Sequence, residues 1–220
     1  MKFDIITIFP NIFDSYFNHG LIARGLKKKL IQIKTHNLRK WTIDKHKSVD
    51  DRPFGGGLGM VMKIEPIFEA VKAIKKNNSK VIFFTPRGKK FNQKIAWQLS
   101  KQKQLIFICG RYEGVDERVA EKIADLKLSI GDYVLMGGEV PTLVVIEAVS
   151  RLIPGIIAKE QLLQERTTKK KGYVEYPQYT RPEVFNPKKG VNWKVPKELI
   201  SGNHERIRKW REKKSQTIEK

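Results

Sequence analysis

The sequence predicts an α/β fold built on a mostly parallel sheet, with a smaller segment appended to it. Three observations lead there. Short apolar, β-prone runs alternate with amphipathic helical patterns over residues 1–158, the rhythm of strand–helix units. Several of these runs are apolar without alternation, as expected for strands buried on both faces. Two glycine-studded loops, residues 109–116 and 129–141, each follow such a run and lead into a helical pattern.

The elements follow in order. Residues 3–9 are almost continuously apolar and read as a buried strand. Asn11, behind Pro10, is placed to cap a short helix with Ile12, Phe13, Tyr16 and Phe17 on its apolar face. A helix is expected over 21–30 and a strand over 31–35. Further strands are expected over 80–85, 105–109 and 126–130, with helices over 65–76, 92–101 and 117–125. Pro141 suits a first helical turn. The helix after it, 143–152, is apolar on nearly every side, which packs it inside the domain or against a second subunit.

After Pro154-Gly155 the texture changes. Residues 159–171 are polar and include Lys169-Lys170-Lys171, as in an exposed linker. A small, mainly helical segment follows, with Pro196 opening a turn and a basic helix over 204–213. The expected organisation is a main domain at 1–158, a linker at 159–176 and a small helical domain at 177–220.

Composition narrows the function. The 220 residues are 40% hydrophobic, enough for one sizeable core. No apolar run approaches the ~20 residues that span a bilayer, and Met1-Lys2-Phe3-Asp4 lacks a signal-peptide pattern. A soluble, cytoplasmic protein without a membrane partner is expected. Lys and Arg number 44 against 23 Asp and Glu, a net charge of +21. Part of this excess reflects a general preference for lysine, but a surface so positive draws polyanions, and nucleic acid is the favoured partner.

Cys109 is the only cysteine, which excludes an internal disulfide and a structural zinc cluster. It ends an apolar run and reads as a buried core thiol. His19, His36, His46 and His204 show no metal-ligand spacing, and no Gly-x-Ser-x-Gly elbow is present.

Candidate chemistry lies in the loops. In an open α/β sheet ligands bind at the carboxyl ends of the strands, where the 109–116 and 129–141 loops fall. Gly131, Gly137 and Gly138 would let a ligand pack on bare backbone, unless they serve ordinary turns. Residues 50–60 form a glycine-rich loop beside Asp50, Asp51 and Arg52 that is neither a P-loop nor a dinucleotide fingerprint. It reads equally as a flexible turn or as a lid. Arg151, near the end of the apolar helix, either neutralises the helix dipole or stabilises an oxygen that gains charge. Tyr173, Tyr176, Tyr179 and Arg181 suit stacking on unpaired bases, or packing of the small segment.

Assembled, these residues resemble the bacterial tRNA (guanine-N1-)-methyltransferase family of knotted SPOUT methyltransferases. The resemblance runs nearly end to end. It is carried by Ile8-Phe9-Pro10, by residues 49–57, by Cys109-Gly110-Arg111-Tyr112-Glu113-Gly114 and by the 129–141 run. Pro177-Gln178-Tyr179-Thr180-Arg181-Pro182-Glu183 and Ile200-Ser201-Gly202-Asn203-His204 extend it. It implies a homodimer, a deep C-terminal trefoil knot in the main domain and S-adenosylmethionine bound at Thr85, Pro86, Gly110, Ile130, Gly131, Asp132, Tyr133, Val134, Leu135, Gly137, Gly138 and Pro141.

The implied reaction is methylation of N1 of the guanosine immediately 3′ of the tRNA anticodon, which supports reading-frame maintenance, with Mg2+ required. The resemblance gives no metal ligands. It makes Arg151 the catalytic arginine and the small domain a tRNA-binding one. The family's general base is a linker aspartate; here the corresponding stretch is Gln164-Glu165-Arg166-Thr167-Thr168-Lys169. Glu165 is the carboxylate nearest that position, and Glu175 is a more distant option. Two other readings stay open: a knotted methyltransferase for a different nucleotide, and an RNA-binding protein without turnover.

Overall fold

The computed structural model describes residues 1–158, 167–168 and 172–217. The chain divides into two compact units, Met1–Glu160 and Gln161–Lys220. The first unit holds β1 (Lys2–Thr7), α1 (Asp14–Phe17), α2 (Gly20–Lys27), β2 (Gln32–Asn37), β3 (Asp50–Asp51), β4 (Val61–Met62) and α3 (Ile64–Ile74). It continues with β5 (Ser79–Lys90), α4 (Gln93–Leu99), β6 (Gln104–Ile108), β7 (Leu126–Ser129) and α5 (Glu139–Ser150). Five strands form one sheet in the order β2-β1-β6-β5-β7, every neighbouring pair parallel.

The apolar runs form strands because both sheet faces are covered. On one face Ile6, Ile106, Ile108 and Val81 pack under Ile67, Ala70 and Val71 of α3. On the other, Phe3 stacks on Phe107, and Phe107 on Phe84. The short β3 and β4 pair antiparallel and carry the glycine-rich loop between them, with Phe54 and Leu58 fully exposed at its tip.

Several expectations need correction. Asn11 caps nothing: Pro10 opens a 3-10 turn at Pro10–Phe13 behind Phe9, with no side-chain cap, and α1 follows directly. Pro10 presets the φ of a first turn, so the turn begins before Asn11. The helix expected over 117–125 includes a single wide turn at Val119–Ile123, where Ala124 N–H donates to the Val119 carbonyl at 2.9 Å.

β1 is not wholly apolar in its core. Asp4 is fully buried and accepts hydrogen bonds from His36 Nε2 at 2.7 Å, Gln104 Nε2 at 2.6 Å and Lys2 Nζ at 2.9 Å. Burial raises its pKa, but the bonds from His36, Gln104 and Lys2 outweigh that and hold it below the ordinary 3.8. The unfolded chain therefore takes up this proton first as the solution acidifies. The stabilisation is complete above the ordinary carboxylate range and is lost as pH falls below 3.8 toward the folded value. Asp4→Asn is expected to cost about 1–3 kcal/mol near neutrality, because it disrupts a buried, charge-assisted network. The deficit against the parent should shrink as pH is lowered from 5 toward 3 in urea titrations. A deficit independent of pH would sink this account.

The second unit is less helical than expected. It contains β8 (Thr167–Thr168), β9 (Gly172–Glu175), β10 (Val184–Lys188), β11 (Val191–Lys194), α6 (Lys197–Ile200), α7 (His204–Lys214) and β12 (Gln216–Thr217). β12, β9 and β8 form a small antiparallel sheet, and β10 and β11 form a separate two-stranded hairpin. The hairpin closes through Gly190, whose φ of +83° is the left-handed conformation that glycine adopts without strain. Asn203 caps α7, its side-chain oxygen accepting from Arg206 N–H at 3.0 Å.

Candidate functional site

A cavity of about 400 Å3 opens at the carboxyl ends of β5, β6 and β7, within the usual range for small-ligand pockets. Three segments wall it: the turn after Phe84, the 110–117 loop and the 128–141 run. Of the residues for which cofactor contact is expected, Thr85, Pro86, Gly110, Ile130, Tyr133, Val134, Leu135, Gly137, Gly138 and Pro141 line it. Gly131 and Asp132 do not; Asp132 instead pairs with Lys90 at 2.5 Å.

Local chemistry explains the shape. β5 leaves its register with β7 after Phe84 and rejoins it at Lys89 opposite Leu128. The excursion, Thr85-Pro86-Arg87-Gly88, overhangs the cavity. At Gly88 the backbones touch: a Cβ there would sit 2.7 Å from Leu128 N. The 130–138 run returns over the end of β6, and Gly138 N–H donates to the Gly110 carbonyl at 3.0 Å. A Cβ on Gly138 would lie 2.7 Å from Cys109 Cα and 3.0 Å from Gly110 N. Glycine is needed here for close approach of two strand ends.

Polar groups cluster behind the wall. Glu139, at the start of α5, is buried and accepts from Thr7 Oγ1 at 2.7 Å and Arg111 Nε at 2.9 Å. The Arg111 guanidinium also lies 4.9 Å over the Phe9 ring. Arg111 lines the cavity, so this set fixes a cation at its wall. On the rim, Arg87 Nη2 meets Glu117 Oε2 at 2.5 Å. Cys109 is a buried thiol, as expected, with its Sγ 3.2 Å from Thr142 Oγ1. Burial first, and then the Glu139 charge, push its pKa far up, which rules it out as a thiolate nucleophile at neutral pH.

The residues fit a nucleoside-bearing sulfonium ligand such as S-adenosylmethionine. Gly110, Gly137 and Gly138 leave backbone bare for hydrogen bonding, and Leu128, Ile130, Val134, Leu135 and Pro141 supply apolar surface for a flat ring. Arg87 and Glu117 also line the cavity and fall outside the two loops that the sequence singled out. For Arg87 a signal existed: it follows Thr85-Pro86 at a strand end, where the chain must turn over the site.

Arg151 is not among the lining residues. It forms the C-cap of α5, and its buried Nε has no hydrogen-bond partner among the described residues. The twelve-residue α5 places it about 18 Å from the helix's cavity end, at 1.5 Å per residue. Glu165 lies outside the described residues. Among the described residues no three of His, Cys, Asp and Glu gather in a metal-binding group. No helix among them is long and apolar enough to cross a membrane.

Comparison with known proteins accords with this geometry. The family model described as tRNA (Guanine-1)-methyltransferase TrmD matches residues 1–220. The tRNA (guanine-N(1)-)-methyltransferase of Clostridium novyi (strain NT) is 52% identical over 221 residues, covering 100% of this chain and 88% of that protein. The protein of the same name from Dictyoglomus turgidum is 52% identical over 215 residues, 98% of this chain and 85% of its own length. That of Clostridium perfringens (strain SM101) is 51% identical over 221 residues, 100% and 90% respectively.

Proposed function

The chain belongs to the tRNA (guanine-1)-methyltransferase family, and from that premise we propose how its cavity and surface serve the reaction. The protein transfers a methyl group from S-adenosylmethionine to N1 of the guanosine immediately 3′ of the tRNA anticodon. The observation that carries this reading is the glycine-walled cavity at the ends of β5, β6 and β7. S-adenosylmethionine, when bound, supplies an electrophilic methyl group on a sulfonium centre. Arg111, held by Glu139, and the bare backbone at Gly110 and Gly138 orient the donor.

N1 of neutral guanine carries a proton and is a poor nucleophile, so a base must remove it as the methyl group arrives. Glu165 is that base, the linker carboxylate nearest the family position. As the proton leaves, charge develops on O6, and a guanidinium is suited to stabilise it. Arg151 serves this role. A helix length separates it from its own cavity, so it serves the cavity of a second subunit in a homodimer. Support comes from exposed apolar side chains on adjoining elements: Phe9, Ile12 and Tyr16 beside Val140 and Val144 of α5. Tyr16 Oη bonds Glu147 Oε2 at 2.6 Å, tying that surface together; this bond and partial burial raise the phenol to about 12.

The trefoil knot belongs to the same reading. It is supported by the return of the 130–138 run across the end of β6, which fastens Gly138 against Gly110. The guanosine must be splayed from its stack to enter, and the net charge of +21 offsets that cost by drawing the phosphates. The small domain grips tRNA, and the reaction takes place in the cytoplasm.

Labelled S-adenosylmethionine should methylate a tRNA transcript with guanosine 3′ of the anticodon and leave the adenosine variant unlabelled. Equal labelling of both would overturn the assignment. Glu165→Gln is expected to lower the single-turnover rate roughly 100-fold or more while donor affinity stays within about two-fold. An unchanged rate would remove Glu165 as the base and direct the search to Glu175.

A further inference from the structure

Among the described residues the β10–β11 hairpin belongs to no larger sheet. Phe185 and Trp193 stand directly opposite each other across it, ring centroids 5.7 Å apart and planes inclined at 44°. A cross-strand aromatic pair stabilises a hairpin through mutual contact and cover of the sheet face. Here the cover is incomplete: Phe185 is 51% exposed and Trp193 63%. Two large rings are thus offered to solvent on a short two-stranded hairpin.

Charge decides what fits them. Residues 184–194 hold Lys188, Lys189 and Lys194 and no carboxylate. Lys188 and Lys189 sit at the hairpin tip; Lys194, opposite Val184, lies on the face away from the rings, and Glu183 lies on the ring face two residues before Phe185, its carbonyl accepting from Val195 N–H at 2.9 Å. All three lysines are exposed. Exposed aromatic faces beside a doubly basic hairpin tip match a polyanion that carries flat rings. A paired helix keeps its base faces closed, so the matching partner is single-stranded, with a base free to stack.

Tyr176, Tyr179 and Trp210 of this unit have partners of their own. Tyr176 lies under the Arg211 guanidinium, 4.9 Å from its ring centroid, and Tyr179 meets Trp210 edge-on at 6.2 Å. Tyr176 is half-buried in that contact, while Tyr179 stays 51% exposed beside Trp210.

We propose that the hairpin at residues 184–194 is a stacking platform for an unpaired base of the tRNA substrate, with Lys188 and Lys189 at its tip holding the flanking phosphates. This rests on tRNA being the substrate and names where a loop of it is gripped. The platform adds affinity for tRNA and takes no part in methyl transfer.

The test uses the full chain and its tRNA transcript. Trp193→Ala is expected to weaken tRNA binding, read by fluorescence anisotropy, by about ten-fold or more, while Trp193→Phe retains most of it. S-adenosylmethionine affinity and the rate at saturating tRNA should be unchanged. Lys188→Gln with Lys189→Gln should lower the slope of log affinity against log salt by about one to two; these tip substitutions leave the fold intact even if Trp193→Ala does not. Full tRNA affinity in Trp193→Ala with an unchanged salt slope in the lysine variant would overturn the proposal. So would an altered oligomeric state with tRNA affinity intact, since a protein surface would then cover the rings. If the parent protein fails to methylate tRNA at all, the assigned reaction falls instead, and the two failures are distinguishable.

Discussion

Gly138→Ala is expected to reduce S-adenosylmethionine affinity at least 100-fold and to lower stability by about 1–3 kcal/mol. The backbone itself tolerates alanine, since Gly138 has φ −84° and ψ −3°. In open space the change would stabilise the chain by restricting its unfolded state. The sign is reversed by collision: the new methyl would lie 2.7 Å from Cys109 Cα and 3.0 Å from Gly110 N. Both neighbours are main chain at the end of a central strand, so neither can swing aside. The 130–138 run must lift, which lengthens the Gly138–Gly110 hydrogen bond and opens the cavity wall. Calorimetric titration and thermal melting of the variant check both parts. Unaltered donor affinity would mean that this wall does not form the donor site.

Glu139→Ala should be more damaging to the fold, by about 3–5 kcal/mol. The carboxylate is 1% exposed and serves Thr7 and Arg111 at once. Its loss leaves a hydroxyl and part of a guanidinium without an acceptor, in a place that water reaches poorly. For a chain of this length the cost corresponds to a fall in melting temperature of roughly 6–20 °C. Arg111 would also lose its anchor at the cavity wall, so donor binding should weaken further than stability alone explains. Arg111→Met probes the same pair from its other side and should be comparably destabilising, because it buries an uncompensated carboxylate. Two mild variants would show the pair to be replaceable.

The central strands were legible because each contains a run of apolar residues long enough to be crossed by the sheet, such as Leu105-Ile106-Phe107-Ile108. Asp4 inside β1 was not, because its partners His36 and Gln104 lie 32 and 100 residues away. Only the folded sheet brings them together. The hairpin was hidden for a related reason: Asn186-Pro187-Lys188-Lys189-Gly190 reads as a turn, yet each flank offers too short a run to stand out as a strand.

The cavity lies where the strand-end glycines indicated. Gly110, Gly137 and Gly138 line it because the main chain itself forms the wall, and that demand is written directly in residue type. Asp132 does not line the cavity: a carboxylate in a loop points toward whichever cation the fold supplies, here Lys90. Arg151 shows the opposite case. Its type suits the chemistry, but distance along α5 separates it from its own cavity, and no local pattern encodes that distance.

The single thiol has a practical consequence. Cys109 is 1% exposed and held protonated by burial, so maleimides and disulfide reagents should find almost nothing to modify in the folded chain. The molecule is therefore a nearly silent background for one introduced cysteine. A spin label at Val144, on the exposed face of α5, would test whether a second copy packs there, since only a dimer gives a distance between two labels. A label at Lys189 would do the same for the hairpin against an RNA. Ordinarily such mapping begins by deleting native thiols, with some loss of stability; here the core keeps its own sulfur and the surface is left free for rulers.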